Sequence, residues 1–181
     1  MNKGFTLVEL VVTISISLMI SALVLADFPE FTRRLELSRT AQAIALSFRQ
    51  AESAALAVRE FGLGVFPAYG IHFENLPAKS YIFFADLDSD RIYDNSGEKV
   101  DSLIINTAPT ISRICGGAKS SPPGDCSIGW LDAVYVRPNP DIFLTTDRGS
   151  FNDAEIVVRL PSGEEKQIVI WTTGQLSVES L

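Results

Sequence analysis

At 181 residues and 46% hydrophobic content, the chain is long enough for one domain with its own core, or for a domain joined to a helical stalk. Its formal charge of −7 argues against nucleic acid as a partner, because gripping a phosphate backbone takes clustered Lys and Arg. With one histidine and two cysteines, the chain has too few nitrogen and sulfur ligands for a zinc site.

The first segment stands apart from the rest. Met1-Asn2-Lys3-Gly4 leads into Phe5-Thr6-Leu7-Val8-Glu9 and then an almost unbroken apolar run to Ala26. As a helix, Phe5 to Ala26 would be roughly 33 Å long, close to the ~30 Å hydrocarbon core of a bilayer. Lys3 ahead of the run places the N-terminus in the cytoplasm and sends the rest outward. Glu9 is the anomaly, since a charge in such a run costs roughly 2.5–3.5 kcal/mol on insertion scales. A secretory signal peptide cut before Asp27 is one reading, although the run exceeds the usual length and has an acid near its entrance. A plain single-span anchor is another, and it leaves Glu9 without a role.

Lys3-Gly4-Phe5-Thr6-Leu7-Val8-Glu9 resembles the class III signal of type IV prepilins and type II secretion pseudopilins. The resemblance implies cleavage by a prepilin peptidase between Gly4 and Phe5, N-methylation of Phe5, and Glu9 as the fifth residue of the mature chain. Cleavage would create a cationic amine at Phe5. A buried unpaired charge costs several kcal/mol, and a carboxylate on a neighbouring subunit offsets it. Glu9 lies one helical turn from Phe5, so a small axial stagger between subunits joins the two. Glu9 is therefore expected to serve assembly and register.

Pro29 is expected to kink or interrupt the helix. Pilins usually carry their proline slightly earlier, where this chain has Ala26. Residues 29–61 read as an amphipathic helix, with Phe31, Leu35, Leu37, Ala41, Ile44, Phe48, Ala51, Ala55 and Val58 recurring at helical spacing. Arg33 and Arg34 read as part of its solvated face, with lipid headgroups as the alternative contact. Gly62 and Gly64 are expected to end it.

From residue 62 onward the pattern is short β-type runs separated by turn signals. Tyr69–Glu74 and Ser80–Asp86 form an expected hairpin around Asn75-Leu76-Pro77. Lys99–Asn106, Ile111–Cys115, Asp132–Arg137, Ile142–Thr145, Ala154–Leu160, Gln167–Thr173 and Leu176–Val178 follow. The poor alternation in Ile156–Leu160 and Ile168–Trp171 predicts strands covered on both faces. The expected fold class is α+β: a long N-terminal helix, half membrane-spanning and half amphipathic, packed on an antiparallel β domain. The corresponding segments are a leader at 1–4, a membrane or filament-core helix at 5–28, the amphipathic helix at 29–61 and the β domain at 62–181. Tyr69-Gly70-Ile71-His72-Phe73, the acidic turn after it and a late glycine turn resemble H-class minor pseudopilins and FimT-type minor pilins.

Three further features bear on chemistry. Cys115 and Cys126 bound a short turn-rich loop and are expected to form a disulfide in an exported protein. Asp86, Asp88, Asp90 and Asp94 imitate the opening of a calcium loop. Its turn glycine, however, is replaced by Arg91, its twelfth position is Gly97, and Glu98 falls one place late. An ordinary acidic turn is the expectation here, with those four aspartates the candidate calcium ligands otherwise. His72 lies in an apparent strand, where a structural role is expected, and no catalytic set stands out. The sequence thus points to a non-enzymatic minor pseudopilin or pilin. It would be held in the inner membrane by a single span, with its C-terminal domain outside the cytoplasm, and would join a filament near the tip. Its partners would be prepilin peptidase, other pilins or pseudopilins and secreted cargo. A DNA-capturing minor pilin and a secreted enzyme behind an ordinary signal peptide are the alternatives.

Overall fold

The structure, a computed structural model, describes residues 4, 6–62, 64–94, 96–138 and 141–181, without the side chains of Ala26 and Asp27. Among the described residues one helix precedes ten strands. They are α1 (Leu7–Leu56), β1 (Ala68–Phe73), β2 (Ser80–Asp86), β3 (Lys99–Ile104), β4 (Thr110–Gly116), β5 (Leu131–Tyr135), β6 (Ile142–Thr146), β7 (Gly149–Ser150), β8 (Asp153–Arg159), β9 (Glu165–Trp171) and β10 (Leu176–Ser180). The chain divides into two compact units, Met1–Leu35 and Glu36–Leu181.

In the first unit, large apolar side chains are exposed on every side of the helix between Leu7 and Leu25. Val12, the least exposed of them, still shows 49% of its surface, so no face is reserved for an intramolecular core. The hydroxyls of this stretch turn back onto the helix: Thr13 donates to the Leu10 carbonyl, Ser15 to Val11, Ser17 to Thr13 and Ser21 to Ser17, at 2.8–2.9 Å. Such bonds satisfy polar groups within the segment, as apolar surroundings demand.

The expected break at Pro29 is not seen, and α1 runs through it. A proline removes one N–H and crowds one carbonyl, a local loss that the intact turns on either side absorb. The helix also ends earlier than expected, at Leu56 and not at the Gly62-containing turn. Val58 turns left-handed (φ 54°), its N–H donates to Ala55 O, and the Arg59 N–H donates to Ala54 O. That pair of bonds is a Schellman close, built here on a β-branched residue in a conformation glycine adopts more cheaply.

In the second unit, Leu37, Ala41, Ile44, Phe48, Ala51 and Ala55 are buried at three- and four-residue spacing. Phe31, Leu35 and Val58, expected on the same stripe, are exposed. The buried face packs against both sheets. Phe48 meets Phe73 of β1 with ring centroids 5.9 Å apart, Ser47 Oγ and Tyr81 Oη lie 2.9 Å apart, and Arg49 donates to Gly174 O at 3.4 Å.

One sheet runs β3-β2-β1-β5-β6-β7 and the other β10-β9-β8-β4, with every pairing antiparallel. A bridge between Ala78 and Ile111 ties the two sheets together. The expected β1–β2 hairpin is present. The short β7 was not anticipated, because two residues, Gly149 and Ser150, carry no period. Ile156 and Val157 are both buried, so β8 is covered on both faces as its composition predicted.

Phe48→Ala should lower the stability of the β unit by about 3–5 kcal/mol, the usual cost of emptying a core phenylalanine site. Phe31→Ala should stay within about 0.5 kcal/mol. Denaturant unfolding of the detergent-solubilised chain, followed by tryptophan fluorescence, distinguishes these outcomes from a stripe that begins at Phe31.

Candidate functional site

At the N-terminus, Gly4 is exposed and outside the helix, whereas Lys3 and Phe5 lie outside the described residues. Thr6 caps α1: its Oγ1 accepts the Glu9 N–H at 3.2 Å, and its carbonyl accepts the Leu10 N–H at 3.2 Å. Thr6-x-x-Glu9 thus has the spacing of a capping box, a signal readable in the sequence but passed over there. Glu9 is exposed in the first turn, where a negative charge is favoured by the helix dipole. It is also the only charged residue between Leu7 and Leu25.

Residues 1–25 match the family model described as the prokaryotic N-terminal methylation motif. The helix that begins at Leu7, within these residues, is long and apolar enough to cross a membrane. At its N-terminus the chain is type IV prepilin-like. No curated protein and no solved structure matches the chain.

The β unit holds a second cluster, in the connection between β2 and β3. Strand alternation sends Tyr69, Ile71 and Phe73 of β1 into the core, leaving Gly70 and His72 on the other face. Across the register His72 lies beside Asp132 of β5, and Gly70 beside Phe84 of β2. A Cβ on Gly70 would stand 2.7 Å from the Phe84 ring, so glycine lets that ring lie over the sheet. Tyr93, from the connection, packs on this face with ring centroids 4.9 Å from His72 and 5.5 Å from Phe84. Its N–H donates to Asp132 Oδ2 at 3.2 Å, while Asp132 Oδ1 lies 2.7 Å from His72 Nδ1. Burial pushes the Asp132 carboxyl above the usual range, against the pull of His72. His72 and Asp132 therefore anchor the loop, in keeping with the structural role expected of His72. Asp132 gave no local sign of the pairing in the sequence.

The acids of the loop divide into two overlapping sets. Asp86, Asp88 and Glu98 bring one oxygen each within 4.8 Å of one another, and so do Asp88, Asp90 and Asp94. The second set is exposed throughout. In the first, Asp86 and Glu98 are only 2% and 1% exposed. Glu98 Oε1 accepts the Leu87 N–H at 3.0 Å, Oε2 the Asp94 N–H at 3.5 Å, and Asp86 Oδ2 the Arg91 N–H at 3.2 Å. Burial pushes both carboxyls above their usual range, and neighbouring aspartates add to the effect. Arg91, standing where a calcium loop has glycine, takes the left-handed conformation (φ 67°) that glycine would supply. Its guanidinium sits 3.7 Å above the Phe143 ring centroid.

Cys115 and Cys126 form the expected disulfide. Buried Asp153 caps the enclosed loop, accepting the Lys119 and Ser120 N–H groups at 3.0 and 2.9 Å. Two cysteines 11 positions apart close a short loop, for which chain entropy gives about 3 kcal/mol of stabilisation. A Cys115→Ala/Cys126→Ala variant should lose close to that amount in denaturant unfolding and no longer respond to reductant.

Proposed function

We propose that the chain is a minor pilin or pseudopilin, a structural subunit and not an enzyme, processed by prepilin peptidase and assembled with other pilins near a filament tip. The observation that carries this reading is the methylation motif at residues 1–25, whose helical part from Leu7 to Leu25 is apolar all round and contains one acid, Glu9. In the inner membrane, lipid covers that surface; in a filament, the helices of other subunits replace the lipid. Hydrophobic transfer differs little between the two states, so packing and the amine–Glu9 pair are left to fix the stagger. The disulfide supports a β domain outside the cytoplasm. The H-class and FimT-type resemblance of the β half supports a minor subunit over a bulk one, and the acidic charge disfavours DNA capture.

Glu9→Ala should leave cleavage and membrane insertion intact but reduce the chain recovered in sheared filaments at least tenfold, the equivalent of about 1.4 kcal/mol per subunit contact. Quantitative immunoblotting of sheared and membrane fractions reads this directly. Recovery equal to the parent would rule out the pairing role.

A further inference from the structure

The geometry points to a calcium site formed by Asp86, Asp88 and Glu98, at the root of the loop between β2 and β3. This reverses the sequence expectation of an ordinary acidic turn, and burial is the reason. A surface turn spreads its carboxylates into water, but here two of the three are almost wholly enclosed. The Asp86 carboxylate, 2% exposed, contributes an oxygen to the group; its Oδ2 is taken by the Arg91 N–H, and its buried Oδ1 has no hydrogen-bond donor. Among the described residues no Lys or Arg forms an ion pair with Asp86 or Glu98. Buried carboxylates that face one another in their ionised form are strongly disfavoured, and a divalent cation between them would offset that cost.

The donor set selects the ion. Oxygens bound to one calcium ion at 2.3–2.6 Å lie no more than roughly 5 Å apart, and these three already fall within 4.8 Å of one another. All three ligands are hard oxygens, which suits calcium over softer metals. Two are supplied by separate strand ends, Asp86 closing β2 and Glu98 directly preceding β3, so the ion would cross-link the base of the loop. Tyr93, seated on His72 and Phe84, holds the other side. Glu98 takes the carboxylate position that a strict twelve-residue count had assigned to Gly97.

The test is isothermal titration of calcium chloride into the full-length chain, purified in detergent and stripped with chelator, together with thermal unfolding. One ion per chain should bind, with a Kd at or below the millimolar range. At ten times that Kd the folded-to-unfolded ratio should rise about elevenfold. Glu98→Gln keeps an oxygen for the Leu87 N–H but removes the charge, and should abolish the response without harming the calcium-free fold. Asp86→Asn provides an independent second variant. The proposal is overturned if the parent chain takes up no calcium at 10 times a millimolar concentration. It is equally overturned if Glu98→Gln and Asp86→Asn bind as tightly as the parent, or if magnesium matches calcium.

Discussion

Glu9 sits in the first turn of a helix whose residues from Leu10 to Leu25 carry no charge. A carboxylate held at such a place in apolar surroundings costs roughly 2.5–3.5 kcal/mol unless something positive meets it. Within the described residues the helix itself offers only a cap, through the Glu9 N–H and Thr6 Oγ1. The exposed apolar surface around it must likewise be covered from outside the chain, by lipid or by other helices. Both requirements point outward, which is what a subunit built for assembly needs and a free-standing globular protein avoids.

The β unit meets a similar charge problem in a different way. Its core joins the buried stripe of α1 to two antiparallel sheets, and this leaves the outer face of β1, β2 and β5 to be covered by the loop between β2 and β3. Tyr93 and the His72–Asp132 pair fix that loop from one side. Asp86 and Glu98 enclose its base from the other, where carboxylate oxygens within 4.8 Å of one another repel when ionised. A bound cation would offset that repulsion. In both places, the apolar N-terminal segment and the loop, a carboxylate that is costly alone would gain from a positive partner.

Much of this was legible in the chain, because local periodicity carried it. The run from Phe5 to Ala26, the strand boundaries of β1, β2, β6 and β8, and the cysteine pair all announce themselves within a few residues. What escaped depends on tertiary context. Pro29 marks a helix break by intrinsic preference, yet flanking turns carry the helix through it. Val58, a residue that disfavours the left-handed region, closes the helix ahead of two glycines better suited to do so. The start of the buried stripe at Leu37 depends on where the sheets reach, which no helical wheel can show. The same holds for the acidic loop: spacing alone grouped four aspartates, whereas the fold brings Glu98 in from the start of the next strand.

For Glu9 to serve assembly, proteolysis after Gly4 has to create a positive end for it to meet. Intact-mass analysis of the native protein isolated from membranes shows whether that end exists. The expected chain begins at Phe5 and carries one added methyl group. A native chain that begins at Met1, or at Asp27 as an ordinary signal peptide would leave it, rules the pairing out.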